Sequence, residues 1–173
     1  MERWESFYVI VGSSGAALIG IQFVVITLVA GLPERPPAIT IRAFASPTVV
    51  HFVSAVVLSA VMTIPWRSTI APALVLVAGG LGGVAYASVV IQRIRHQTSY
   101  TPVWQDWLWY AVLPSAAYAV LALAAATLRM DPPLASVGIA AAALGLLLIG
   151  IHNAWDSVTH IVFGSDEDEK VGQ

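Results

Sequence analysis

"SPTVVHFVSAVVLSAVMTI" (residues 46–64) decides how many times this chain crosses a membrane. The run is apolar and ends at a tight turn, "PWRS" (65–68), but it is short for a crossing, which takes about 20 mostly apolar residues. Ser46 followed by Pro47 reads as an N-cap with proline at the first helical position, so the helix is expected to begin there. Four other runs are clearer: Phe7–Gly31, Ile70–Ile91, Leu108–Leu128 and Leu134–Ile151, the last continuing as helix to about Phe163. The breaks include "GLPERPP" (31–37), "QRIRHQTSYTPVWQD" (92–106) and "RMDPP" (129–133). Pro114 lies inside the fourth run and predicts a kink. The expected fold class is all-α: a polytopic membrane bundle of five transmembrane helices, or four with 47–64 as a re-entrant segment. A single transmembrane domain, 1–163, is followed by a short acidic tail, 164–173.

Composition points the same way. Of 173 residues, 58% are hydrophobic and 10% charged, whereas soluble domains carry about 25% charged residues. With a mean hydropathy of +0.80, the chain cannot cover a water-facing surface, and the lipid bilayer is its first partner. The absence of cysteine excludes disulfides, thiolate catalysis, iron–sulfur clusters and Cys-type zinc sites. A net charge of −2 without a Lys/Arg cluster gives no reason to expect a nucleic-acid partner. The opening "MERWESFYVIVG" lacks a basic n-region and reads as a retained first helix rather than a signal peptide.

Five crossings put the termini on opposite sides. Arg3, Arg67 and Arg129 fall on one side, and Arg35, Arg42, Arg93, Arg95 and Lys170 on the other. The positive-inside rule makes the second side cytoplasmic, with the N-terminus outside and the C-terminus inside. Trp4, Phe7, Tyr8 and Trp66 then mark the outer interface, and Trp104, Trp107, Trp109 and Trp155 the inner one. Small residues fill the runs, as in "AGGLGGVAYAS" (78–88), and let helices approach closely. Gly79 and Gly83 form a small-xxx-small face for packing within the chain or in a homo-oligomer.

The polar residues within the apolar runs lie on one side. Gln22, His51, Arg93, His96, Asp106, His152, Asp156 and His160 all fall in the inner half or at its boundary. His152, Asp156 and His160 are four apart and share a helix face, but His152 and His160 are about 12 Å apart along the axis and cannot share one metal ion. A His–Asp pair at this spacing can share an ion, or the carboxylate can orient the imidazole. Trp155 with Asp156 and His160 is equally what an ordinary helix exit looks like. His51 and Gln22 lie deeper, where polar side chains face the bundle and find partners. Gln22, His51, His152 and Asp156 are therefore the polar-site candidates, with His96, Asp106 and Arg93 secondary. The metal ligands, if there are any, are His152, Asp156 and His51, for a divalent cation. Haem held by His51 and His152 is disfavoured, since it needs facing imidazoles about 4 Å apart. No HExxH, GxSxG or phosphate loop is present.

The stretches "FYVIVGSSGAALIGIQFVVITLVA" (7–30), "SPTVVHF" (46–52), "PVWQDWLWY" (102–110) and "GIHNAWDSVTHIVF" (150–163) resemble a family of small bacterial integral membrane proteins without an assigned activity. The resemblance spans most of the chain. It implies a bacterial inner membrane and transfers no site residue, cofactor or substrate.

Two function classes compete. One is cation or proton binding or transport at the His/Asp site, in an oligomer. The other is a small enzyme acting on a lipid or isoprenoid-like substrate from the inner leaflet, with His152 and Asp156 as acid–base groups. An accessory subunit without chemistry fits the same composition.

Overall fold

In a computed structural model of the chain, the described residues are 4–31, 38–96 and 103–171. They form an all-α bundle: α1 (Glu5–Ala30), α2 (Ala38–Thr63), α3 (Ile70–His96), α4 (Trp104–Thr127) and α5 (Pro132–Val171). Four of these are long and apolar enough to cross a membrane, over Glu5–Leu28, Ile70–Arg95, Trp104–Thr127 and Pro132–Thr159. In α2 the apolar stretch found among the described residues is Pro47–Thr63, shorter than the other four. Four crossings are supported by length and composition, and the fifth is not confirmed.

Three boundaries differ from expectation. The second helix starts at Ala38, so Pro47 sits inside it rather than at its first turn; "AITIRAFAS" has no breaker to prevent the extension. The last helix runs past Phe163 to Val171, because Gly164 alone does not stop it and the Asp/Glu/Lys run that follows is compatible with helix. The fourth helix begins at Trp104 rather than Leu108. Asp106 fixes that start by accepting the Val103 N–H at 3.0 Å. The turn between α4 and α5 is as read: Asp131 Oδ1 accepts the Leu134 N–H at 3.1 Å, with prolines in the first turn.

Around the bundle the order is α1, α2, α5, α4, α3, each packed mainly on the next. The consecutive helices α2 and α3 touch little, so the long-range pairing of α2 with α5 joins the two halves. Tyr8, Phe52, Leu58, Leu121, Ile139, Ala143 and Leu146 form the shared core. Close contacts set the antiparallel register. Gly12 lies against Ser59, Gly15 against Val56, Gly150 against Phe52, Gly138 against Ala124, and Gly83 against the Tyr118 ring. The small face that packs α3 on α4 is Gly80 with Gly83, not Gly79 with Gly83. Gly79 and Gly82 face open space. Three and four residues are both helical repeats, so the sequence alone could not choose between them.

The bundle thus has a short-turn end, with the connections at 64–69 and 128–131, and a polar end where α1 and α3 finish and α2 and α4 begin.

Candidate functional site

The Pro114 signal materialises as a π-helical turn, Leu108–Val112, rather than a simple kink. In that turn the Leu113 N–H bonds the Leu108 carbonyl. The Trp109 carbonyl would next take the N–H of residue 114, and proline has none. Its donor comes from α5 instead: Asn153 Nδ2 lies 3.5 Å from Trp109 O. Ser115 Oγ donates back to Ala111 O at 2.6 Å. The side chain of Asn153 is fully buried, and its Oδ1 has no hydrogen-bond partner.

The same bulge aims two aromatic side chains at α5. Trp109 stacks flat on His152, with centroids 3.6 Å apart and planes 6° apart. Buried Tyr110 donates to Asp156 Oδ2 at 3.2 Å and lies 3.5 Å from Asn153 O. That backbone oxygen also accepts from Ser157 Oγ at 2.8 Å. His152 Nδ1 is buried without a partner. Asp156 is exposed and forms no ion pair among the described residues.

A second polar group lies deeper. His51, 2% exposed, has its Nδ1 3.1 Å from Tyr118 OH. The same hydroxyl lies 2.9 Å from Ser54 Oγ, which donates to Val50 O at 2.8 Å. Gly83 makes the space in which the Tyr118 ring can lie against α3 and reach α2.

The sequence-predicted residues share a level but do not form one cluster. Continuing the register from Gly12–Ser59 and Phe52–Gly150 brings Gln22 opposite Val49, and Val49 opposite Asn153, to within about one turn. Gln22, Thr48, His51 and Asn153, all buried, therefore lie in one layer just inside the polar end. The partners diverge: His51 turns to Tyr118, His152 to Trp109, and Asp156 to Tyr110. Gln22 forms no hydrogen bond with His51, His152 or Asp156. Among the described residues no three His, Asp or Glu side chains gather around a common point that would hold an ion, so His51, His152 and Asp156 are not a three-ligand cage. The carboxylate of Asp156 holds Tyr110, not the His152 ring as spacing alone suggested. Of the secondary candidates, Asp106 starts α4, Arg93 is exposed, and the side chain of His96 lies outside the described residues, as does that of His160.

Sequence reasoning missed Trp109 as the stacking partner of His152, together with Tyr110, Tyr118 and Asn153. A tyrosine inside an apolar run carries a hydroxyl that must be satisfied, and that signal was available in "LWYAV" and "SAAYAV". No protein-family model matches the chain, and neither a curated protein nor a solved structure was found to be similar to it.

Proposed function

We propose that this chain is an integral protein of a bacterial cytoplasmic membrane that binds a cationic group at its polar end, around Asp156. The observation that carries the reading is a carboxylate without a countercharge among the described residues, held by Tyr110, on the same helix end as two buried polar atoms without partners, Asn153 Oδ1 and His152 Nδ1. An exposed carboxylate at the polar end is open to a cation arriving from outside the bundle. Binding is the part that the geometry supports. Beyond Ser54 toward the short-turn end, the buried polar side chains among the described residues are those of Tyr8, Ser59 and Ser136, and they form no continuous route.

The reading takes α2 as a fifth crossing, with the N-terminus outside and the polar end cytoplasmic. Supporting this, α2 is unbroken and runs antiparallel to both α1 and α5, and the Arg/Lys split is three against five. A homo-oligomer is the proposed assembly, supported by the open α3 face at Gly79 and Gly82.

Thermal unfolding of the detergent-solubilised protein tests the binding. Sodium, potassium, magnesium, zinc and ethylammonium chlorides are compared with tetramethylammonium chloride at equal ionic strength. At least one should raise Tm, on the order of 5 °C near saturation, and Asp156→Asn should abolish the gain. If no cation separates the wild type from Asp156→Asn, the reading falls.

A further inference from the structure

We infer that the cationic group is the ammonium of an ethanolamine phospholipid headgroup, held on Asp156 while Arg95 takes the phosphate. The inference rests on the cation-binding reading of Asp156 and adds the anionic half of the ligand.

Register places the two charges at one depth. Tyr118 against Gly83 brings Trp109 opposite Gln92, and Asn153 already meets Trp109. Three residues farther out lie Arg95 on α3 and Asp156 on α5, on either side of α4. Both are exposed, and neither forms an ion pair among the described residues. Because α4 stands between them, the axes of α3 and α5 are up to about 16–20 Å apart, two interhelix spacings, a gap that the long Arg95 side chain, Asp156 and the headgroup arm together must cover. The Arg95 guanidinium already leans onto α4, 5.9 Å from the Trp107 ring centroid. Asp156 is met by Tyr110 of the same helix. Asp106, at the same level, is engaged by the Val103 N–H at the start of α4.

The depth and the surroundings are those of a headgroup. Trp104 and Trp155 are 70% and 72% exposed at this level, as tryptophans are where hydrocarbon gives way to the polar layer. Asp156 is exposed, next in sequence to exposed Trp155, so a ligand can reach it from outside the bundle. The headgroup carries its two charges on one short arm, with a phosphate for arginine and an ammonium for carboxylate. A primary ammonium donates hydrogen bonds to Asp156. A choline headgroup has no N–H to donate, and a glycerol headgroup brings no cation and would be repelled.

Native mass spectrometry of the full-length protein, titrated with ethanolamine, choline and glycerol phospholipids of identical acyl chains, tests this. The ethanolamine lipid should bind about tenfold tighter than either of the others. Asp156→Asn should bring it down to the choline level, and Asp156→Glu should restore the preference. Arg95→Gln should weaken ethanolamine and choline lipids alike while leaving ethylammonium stabilisation intact. Equal affinity for ethanolamine and choline lipids, or an unchanged preference in Asp156→Asn, overturns the inference. If small cations still stabilise the wild type and not Asp156→Asn, only the headgroup assignment is lost. If they do not, the cation reading falls with it.

Discussion

Two tyrosines of α4 each reach another helix, and they leave their surroundings in different states. Tyr118 joins His51 and Ser54 of α2, and none of the three retains a buried polar atom without a partner. Tyr110 joins Asp156 of α5, which has no ion pair among the described residues, and two buried atoms beside it stay unpartnered. The first group lies deeper among apolar side chains, where an unmet hydrogen bond has no water to turn to. The second lies nearer the polar end of the bundle, where Asp156 is exposed. A complete polar group at depth fixes how helices pack. An incomplete one at the boundary is what a ligand would complete. Substitutions that break one region should therefore register in stability, and those that break the other in binding.

The largest effect is expected at Gly83. A side chain there would occupy the space of the Tyr118 ring, so Gly83→Ala must displace the ring or part α3 from α4, costing about 1–3 kcal/mol or more. Gly82→Ala, one position along and facing open space, should be neutral or slightly stabilising. Denaturant titration in micelles measures both. Equal losses would mean that Gly83 does not seat Tyr118.

Next come the tyrosines themselves. Tyr118→Phe leaves His51 Nδ1 buried without its partner, and about 1–2 kcal/mol should be lost, between the average for interhelical bonds in membranes and the cost of a buried orphan. Tyr110→Phe should cost less than half as much, because exposed Asp156 can turn to water. Its effect should appear instead as weaker cation binding. A Tyr110→Phe loss as large as that of Tyr118→Phe would erase the distinction between the two regions.

Much of this was legible in the sequence. The all-α class, four helices of crossing length and the burial of Gln22 and His51 follow from run lengths and from the cost of an unmet polar group. The cluster was not legible, because shared depth does not fix direction. His51 and His152 lie at similar levels, yet one points to Tyr118 and the other to Trp109. Direction depends on helix rotation, which here is set by glycines admitting particular rings: Gly83 for Tyr118 and Gly150 for Phe52. An apolar pattern spread around the whole helix says little about which small residue faces inward. Pro114 shows the same limit. Its missing N–H was readable, but the route by which the chain compensates was not.

The smallest effect is expected from Asn153, where two terms oppose each other. Asn153→Ala removes the amide that meets the Trp109 carbonyl, and it also removes the unpartnered Oδ1. At 3.5 Å the lost bond is a weak one, so the net change should be under about 1 kcal/mol. A double-mutant cycle with Pro114→Ala extracts the larger quantity hidden in that sum. Alanine at 114 restores a backbone N–H, and the helix can then satisfy the Trp109 carbonyl without help from α5. In that background Asn153→Ala should cost about 0.5–1 kcal/mol less than in the wild type, a coupling of the size expected for residues that share a partner. Strict additivity would mean that Asn153 is not there to serve the carbonyl that Pro114 leaves bare. The π-turn that aims Trp109 and Tyr110 at α5 would then need another support.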